Sequence, residues 1–189
     1  MDDAMNQLQF DTQPHLTGPN LILSPLREED YDGLHRAAGD PFIWAGHPAK
    51  DRHRDEVFRP YFGSLLHSGA TLAIRDRASG AIIGCSRYYV APGVEDDISI
   101  GFTFLRRDHW GGATNRELKT LMFDHAFNTF ETVWFHIGPD NVRSQQATQK
   151  LGAEFSHEEV LDLSNGKNNV YCYRLERSVW QRRPTASPN

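Results

Sequence analysis

Apolar and polar positions recur along this chain with two different periods, and the switches between them mark its elements. Residues 21–23 are Leu-Ile-Leu, a short apolar run closed by Pro25, and predict a first strand. Residues 27–38 predict a helix, with Glu28, Glu29 and Asp30 where a helix dipole favours acids. A second helical region covers 51–67. Val57, Phe62, Leu65 and Leu66 follow its helical spacing imperfectly, and Pro60 is expected to break or kink it. The period then shortens. Strands are predicted over 71–74, 82–90 and 97–105, with the turn Asp76-Arg77-Ala78-Ser79-Gly80 between the first two, an antiparallel meander. Residues 115–127 return to helical spacing, with Leu118, Leu121, Met122, His125 and Ala126 on one face. A strand over 133–137 and a helix over 141–151 follow, the helix capped by Asn141 and stopped by Gly152. Strands over 155–163 and 170–175 close a hairpin around Ser164-Asn165-Gly166-Lys167. The order β, α, α, β, β, β, α, β, α, β, β predicts an α/β fold, a mixed α+β sheet with helices on both faces.

Size and composition narrow the class. A chain of 189 residues with 39% hydrophobic and 24% charged residues suits one globular domain, expected over 19–177, between flexible tails at 1–18 and 178–189. A formal net charge of −5 without a long basic run argues against nucleic acid. It favours a cationic or neutral substrate, or serves solubility alone. No stretch approaches the ~20 apolar residues of a membrane span. Cys85 and Cys172 form no Cys-x-x-Cys motif and read as reduced core residues, and the polar start carries no secretory pattern. The expected compartment is the cytoplasm. Nine histidines show no metal-ligand spacing, so no metal is expected.

The chemistry concentrates between Phe102 and Glu117. A strand ends, Trp110-Gly111-Gly112-Ala113 follows, and a helix begins. Small residues let backbone approach a ligand, and a helix start offers unpaired N–H groups and a positive dipole end, an arrangement suited to a pyrophosphate. A plain strand-to-helix loop has the same composition. Nucleotide binding of the ATP type is disfavoured, because no Gly-x-x-x-x-Gly-Lys-[Ser/Thr] loop occurs.

Strand, Trp-Gly-x-small and helix, followed by Asn141-Val142-Arg143-Ser144 and Lys150-Leu151-Gly152-Ala153, resembles the GNAT N-acetyltransferases. The likeness is greatest to the branch that acetylates ribosomal-protein N-termini, and it runs from about residue 19 to residue 176. The resemblance implies a six- to seven-stranded, mostly antiparallel sheet with a splay between its fourth and fifth strands. It implies acetyl-CoA as co-substrate, a primary amine as acceptor and, in many members, a homodimer. Thr103, Phe104 and Leu105 would offer free peptide groups to the pantetheine arm, with Gly101 suiting a bulge. Trp110, Gly111, Gly112, Ala113, Thr114, Asn115 and Arg116 would hold the pyrophosphate, with charge added by Arg106, Arg107 and Arg116. Asn141 matches the asparagine that contacts pantetheine, and Ser144 the serine near the thioester sulfur.

The sequence departs from that pattern where catalysis is concerned. Ser99 stands where many members place a glutamate base, Thr148 where they place a tyrosine acid, and Asp108 where Gln or Arg is frequent. Ser144, Ser99 and His136 remain the catalytic candidates. Other proton acceptors are His47, His53, His67, His109 and the loop acids Glu95, Asp96 and Asp97. Without a carboxylate base, an amine of low pKa is the better substrate. A lysine-type amine costs roughly 4.6 kcal/mol to deprotonate at pH 7, an α-amine about 1 kcal/mol. Phe42, Trp44, Tyr61 and Phe62 would wall the acceptor pocket or pack the core. The competing reading is an acyl-CoA-binding module on the same fold with little or no turnover.

Overall fold

The computed structural model describes residues 10–47, 49–163 and 166–183. Eight strands form one sheet: β1 (Leu16–Thr17), β2 (Leu21–Pro25), β3 (Thr71–Asp76), β4 (Ile82–Tyr89), β5 (Ile98–Leu105), β6 (Thr132–Ile137), β7 (Glu154–Asp162) and β8 (Lys167–Glu176). The helices are α1 (Tyr31–Ala38), α2 (Asp55–His67), α3 (Ala113–Ala126), α4 (Val142–Lys150) and α5 (Arg177–Gln181). The strand order is β1-β2-β3-β4-β5-β6-β8-β7. Every neighbouring pair is antiparallel except β5 and β6, which are parallel.

The parallel pair joins only Ile98 to Val133 and Ser99 to Trp134. Beyond that point the strands part, which is the expected splay between the fourth and fifth predicted strands. Alternating side chains divide the core between the two sheet faces. On one, Leu118, Met122 and Phe123 of α3 cover Ile83, Tyr88, Ile100 and Phe135. On the other, Leu34 of α1 and Phe58, Tyr61 and Leu65 of α2 cover Ala73, Cys85 and Phe104.

Several expectations shift. The sheet has eight strands, not six or seven, because β1 pairs with β2 through Leu16–Leu23 and Thr17–Ile22. Residues 10–18 are therefore not a loose tail: Phe10 packs edge-on against Tyr88 and Phe130. Residues 1–9 and 184–189 lie outside the described residues. The expected C-terminal tail opens with α5, where Trp180 meets the ring of Phe123 and donates to Asp124. Pro60 lies inside a continuous α2, which starts at Asp55 rather than 51. The hairpin residues Ser164 and Asn165 lie outside the described residues, while Asp162 pairs with Lys167 around them.

Candidate active site

The edge of β5 that the splay leaves bare is also where its backbone is irregular. Cys85 faces Phe104 and Arg87 faces Gly101, so two steps along β4 match three along β5. The extra residue is a bulge, and it places Phe102 at φ +52, a conformation that costs a bulky residue of order 1–3 kcal/mol. Gly101 flanks this bulge, as expected, and has a second role. A Cβ on Gly101 would lie 3.0 Å from the Tyr89 ring, so the glycine leaves room for that ring to cross β5.

Thr103, Phe104 and Leu105 lie along this edge as expected, but two of them already have side-chain or carbonyl partners. Thr103 Oγ1 accepts from Lys119 Nζ at 3.1 Å and meets Ser86 Oγ at 2.7 Å. The Leu105 carbonyl accepts from Trp110 Nε1 at 2.8 Å. The indole thus caps the strand's end and turns the chain into the loop.

Gly111, at φ +70, and Gly112 face open space: a Cβ on either meets nothing within 4 Å. Gly112 caps α3 without a side-chain bond, so the first N–H groups of the helix have no side-chain acceptor. Helix α3 starts at Ala113, two residues earlier than expected. Ala113, Thr114, Asn115 and Arg116 are therefore its first turn, not a loop before it. The charge pattern of the helix starts is informative. Acids occupy the first turns of α1 and α2, but none stands in the first turn of α3, α4 or the short α5. A positive dipole end without a competing acid favours an anionic ligand.

The flanking arginines differ. Arg106 is clamped by Asp108 at 2.7 and 2.8 Å, and Arg107 meets Asp40 at 3.4 Å and the Phe42 ring at 4.5 Å. Asp40, Arg106, Arg107 and Asp108 line an open depression of about 520 Å³ with Arg36 and Ala37, where two acids offset part of the charge of three arginines. Arg116 is the exposed cation on α3 itself. Arg143, which sequence reasoning passed over, stacks on Trp110 at 3.8 Å and donates to the Ile43 carbonyl, tying α4 to the loop.

Across the splay, Asn141 Oδ1 accepts from Ser144 N at 3.2 Å, the capping role its residue type favours. Ser144 is half-buried in the first turn of α4. Ser99 is fully buried at the last paired step, and its Oγ has no partner among the described residues. His136 Nδ1 is 2.8 Å from the Tyr89 hydroxyl, a bond that spans β5. Burial pushes the imidazole down to about 4, Glu159 pulling the other way and His157 adding slightly, so His136 is neutral at pH 7. Burial also holds the Tyr89 phenol well above its ordinary range.

The remaining candidates separate from this centre. Trp44, Tyr61 and Phe62 are buried in the core against Phe104 and Phe58, while Phe42 is exposed. His47 contacts Arg52, His53 the Lys50 carbonyl, and His109 lies 3.8 Å from Asp108. Asp97 accepts from the Trp134 indole. Linear spacing also missed a cross-strand group: His157, Glu159 and Cys172 bring donor atoms within 4.8 Å of one another, His157 and Glu159 forming a surface pair at 3.5 Å.

A sheet split beside a bulged strand, with an acid-free helix start at its end, is a mixed α/β scaffold open along one strand edge. The sequence family described as an acetyltransferase (GNAT) domain matches residues 20–154, and this chain belongs to it. Solved structures share the fold. A GCN5-related N-acetyltransferase from Brucella melitensis is 19% identical, with TM-score 0.73 over 91% of this chain and 82% of that one. Mycobacterium smegmatis RimJ, in complex with CoA-disulfide, is 16% identical, with TM-score 0.62 over 84% of this chain and 82% of that one. Vibrio cholerae spermidine N-acetyltransferase, in complex with CoA and spermine, is 13% identical, with TM-score 0.63 over 87% of this chain and all of that one (100%).

Proposed function

We propose that this chain transfers the acetyl group of acetyl-CoA to a primary amine by direct attack in a ternary complex. The observation that carries the reading is the bare β5 edge running into the acid-free start of α3. Peptide groups of residues 100–105 hold the pantetheine arm and polarise the thioester carbonyl. N–H groups of the first α3 turn and Arg116 take the pyrophosphate, and no metal enters this reading. Ser144 donates toward the departing thiolate, whose basicity near 8.5 by cysteine analogy makes it a ready leaving group. Asn141 and Ser144 stand across the splay from that strand.

The acceptor is an amine of low pKa, a protein N-terminal α-amine or a small-molecule amine, arriving neutral. His136 is too weakly basic to deprotonate an ammonium in the ground state. It accepts a proton only after the C–N bond forms, when the nitrogen has become strongly acidic. Tyr89 from β4, Cys172 from β8, and His157 and Glu159 from β7 surround it, and Ser99 lies beside Tyr89 in the ladder. Among the described residues no helix is long and apolar enough to cross a membrane, which is compatible with a cytoplasmic site of action.

The test is thiol release from acetyl-CoA over a panel of α-amine peptides, polyamines and lysine analogues. Transfer to α-amines is expected. The kcat/KM should rise with pH along the neutral fraction of the amine, with no histidine inflection between pH 5 and 8. An inflection near 6.5 that disappears in His136→Gln would overturn the assigned protonation. The burial of Ser99 and Thr148 at the positions of the usual base and acid favours a second reading, a binding module with little turnover. CoA binding without transfer to any amine would select it.

The anion site has its own test. Ala113→Glu places a carboxylate in the first turn of α3. It should stabilise the free protein by about 0.5 kcal/mol through the dipole. It should also weaken CoA at least tenfold, about 1.4 kcal/mol. Calorimetry and thermal melts of the same variant must therefore move in opposite directions.

A further inference from the structure

Arg87 lies on β4 directly opposite Gly101, beside the bulge, with its guanidinium 4.6 Å from the Phe102 ring. It is half-buried, and its Nε is wholly shielded from solvent with no hydrogen-bond partner among the described residues. No carboxylate among those residues forms an ion pair with it. The titratable groups facing it are the phenols of Tyr89 and Tyr61, which burial keeps protonated and uncharged. Other arginines set into this fold have acceptors for their N–H groups: Arg75 meets Asp30 and Arg177 meets Glu131, while Arg143 donates to the Ile43 carbonyl and Arg52 contacts His47. A ring face satisfies part of a guanidinium's charge but none of its N–H directions. A buried cationic donor left without an acceptor is unfavourable, and its retention points to an acceptor supplied by a ligand.

Resting on the transfer reading above, we infer that the acceptor amine carries a carboxylate and that Arg87 receives it. The co-substrate does not fill the role. Its acetyl and pantetheine portions are uncharged. Its phosphates belong at α3, beyond Leu105, which lies four residues from Gly101, about 13 Å along a strand. Tyr89 follows Arg87 by two residues, so both side chains leave β4 on one face, about 7 Å apart. Tyr89 is the residue bonded to His136. A carboxylate on Arg87 thus sets an amine a few bonds away beside the proton acceptor. The fork of Arg87 suits a carboxylate geometrically. The acceptor class is an amino acid, or a peptide whose first residue is acidic. The negative charge of the whole chain says nothing against this, because a buried local cation governs the field in its own pocket.

The experiment uses matched acceptors with acetyl-CoA: Glu-initiated against Gln-initiated peptides, and free amino acids against their amides. Wild type should favour the carboxylate member of at least one pair tenfold or more in kcat/KM, mainly through KM. The responding pair distinguishes a peptide from a free amino acid. Arg87→Gln should bring that ratio close to one, and Arg87→Lys should retain part of it with a steeper salt dependence. Melting curves of both variants establish that they fold. A ratio near one in wild type for both pairs, or a preference that survives Arg87→Gln, overturns the inference. Should no amine be acetylated, the transfer reading fails separately. Calorimetry of the same pairs on the CoA-bound protein then decides the Arg87 site by the same ratio.

Discussion

Replacing Lys119 by methionine is expected to stabilise the protein at pH 7, by about 3 kcal/mol. Lys119 is 7% exposed on the inner face of α3, and its ammonium is held by Thr103 Oγ1 at 3.1 Å. Burial alone pushes it down to about 7 from the ordinary 10.5. The sign follows from proton counting. Between pH 7 and 10.5 the unfolded chain holds a proton that the folded chain has released, so wild-type stability rises with pH across that window. Below pH 7 both states are protonated and the full cost of burying the charge is present, up to about 5 kcal/mol at 1.36 kcal/mol per unit; at pH 7 the folded site is half protonated and most of that cost remains. Methionine fills the same space without a charge and loses one hydrogen bond worth about 1 kcal/mol. Urea denaturation at pH 6, 7, 8.5 and 10 would show wild type gaining on the variant as pH rises. A parallel offset at every pH would sink the assignment. The residue's location suggests why a costly lysine persists. It grips Thr103 on the edge that the pantetheine reading requires, so the variant should be more stable yet bind CoA less tightly.

Much of this architecture was legible because both sheet faces are covered and each element carries its own period. Leu118 and Met122 announced α3, and Ala73 and Cys85 their strands, through burial that alternation encodes directly. The glycine-opened start of α3, where the anion site is proposed, was legible too, since Gly111, Gly112 and the helix they open are contiguous. What escaped lies in contacts between distant segments. Strand β1 is two residues long, below any periodic signal, and Phe10 is held by rings it cannot foretell. Tyr89 and His136 are 47 positions apart and meet only because their strands, β4 and β6, flank β5. Arg143 and Trp110 meet across the splay for a similar reason. Gly101 illustrates an ambiguity of residue type. A strand glycine signals either a bulge or a close neighbour. Here the bulge fell on Phe102 and the neighbour was Tyr89.

Gly84 is the second position where a small change should have a large effect. It is buried between β3 and β5, facing Ile74 and the terminal residue Leu105, and an added Cβ would stand 2.0 Å from the Phe104 carbonyl oxygen. The obstacle is backbone, so no rotamer relieves it, and β5 itself must move. Gly84→Ala is therefore expected to destabilise the protein by about 3 kcal/mol or more. Gly33 in α1 provides the contrast. Its Cβ would approach Ile82 Cδ1 at 2.9 Å, the far end of a flexible side chain, while alanine improves the helix by up to about 1 kcal/mol. Gly33→Ala should thus remain within about 1 kcal/mol of wild type. The strand that Gly84→Ala displaces is the one whose free edge would pair with the pantetheine. In the variant, CoA should lose its ability to raise the melting temperature even where the fold persists. Equal melting temperatures for the two alanine variants would mean that β4 and β5 do not approach so closely at Phe104, and the bulge beside it would have to be redrawn.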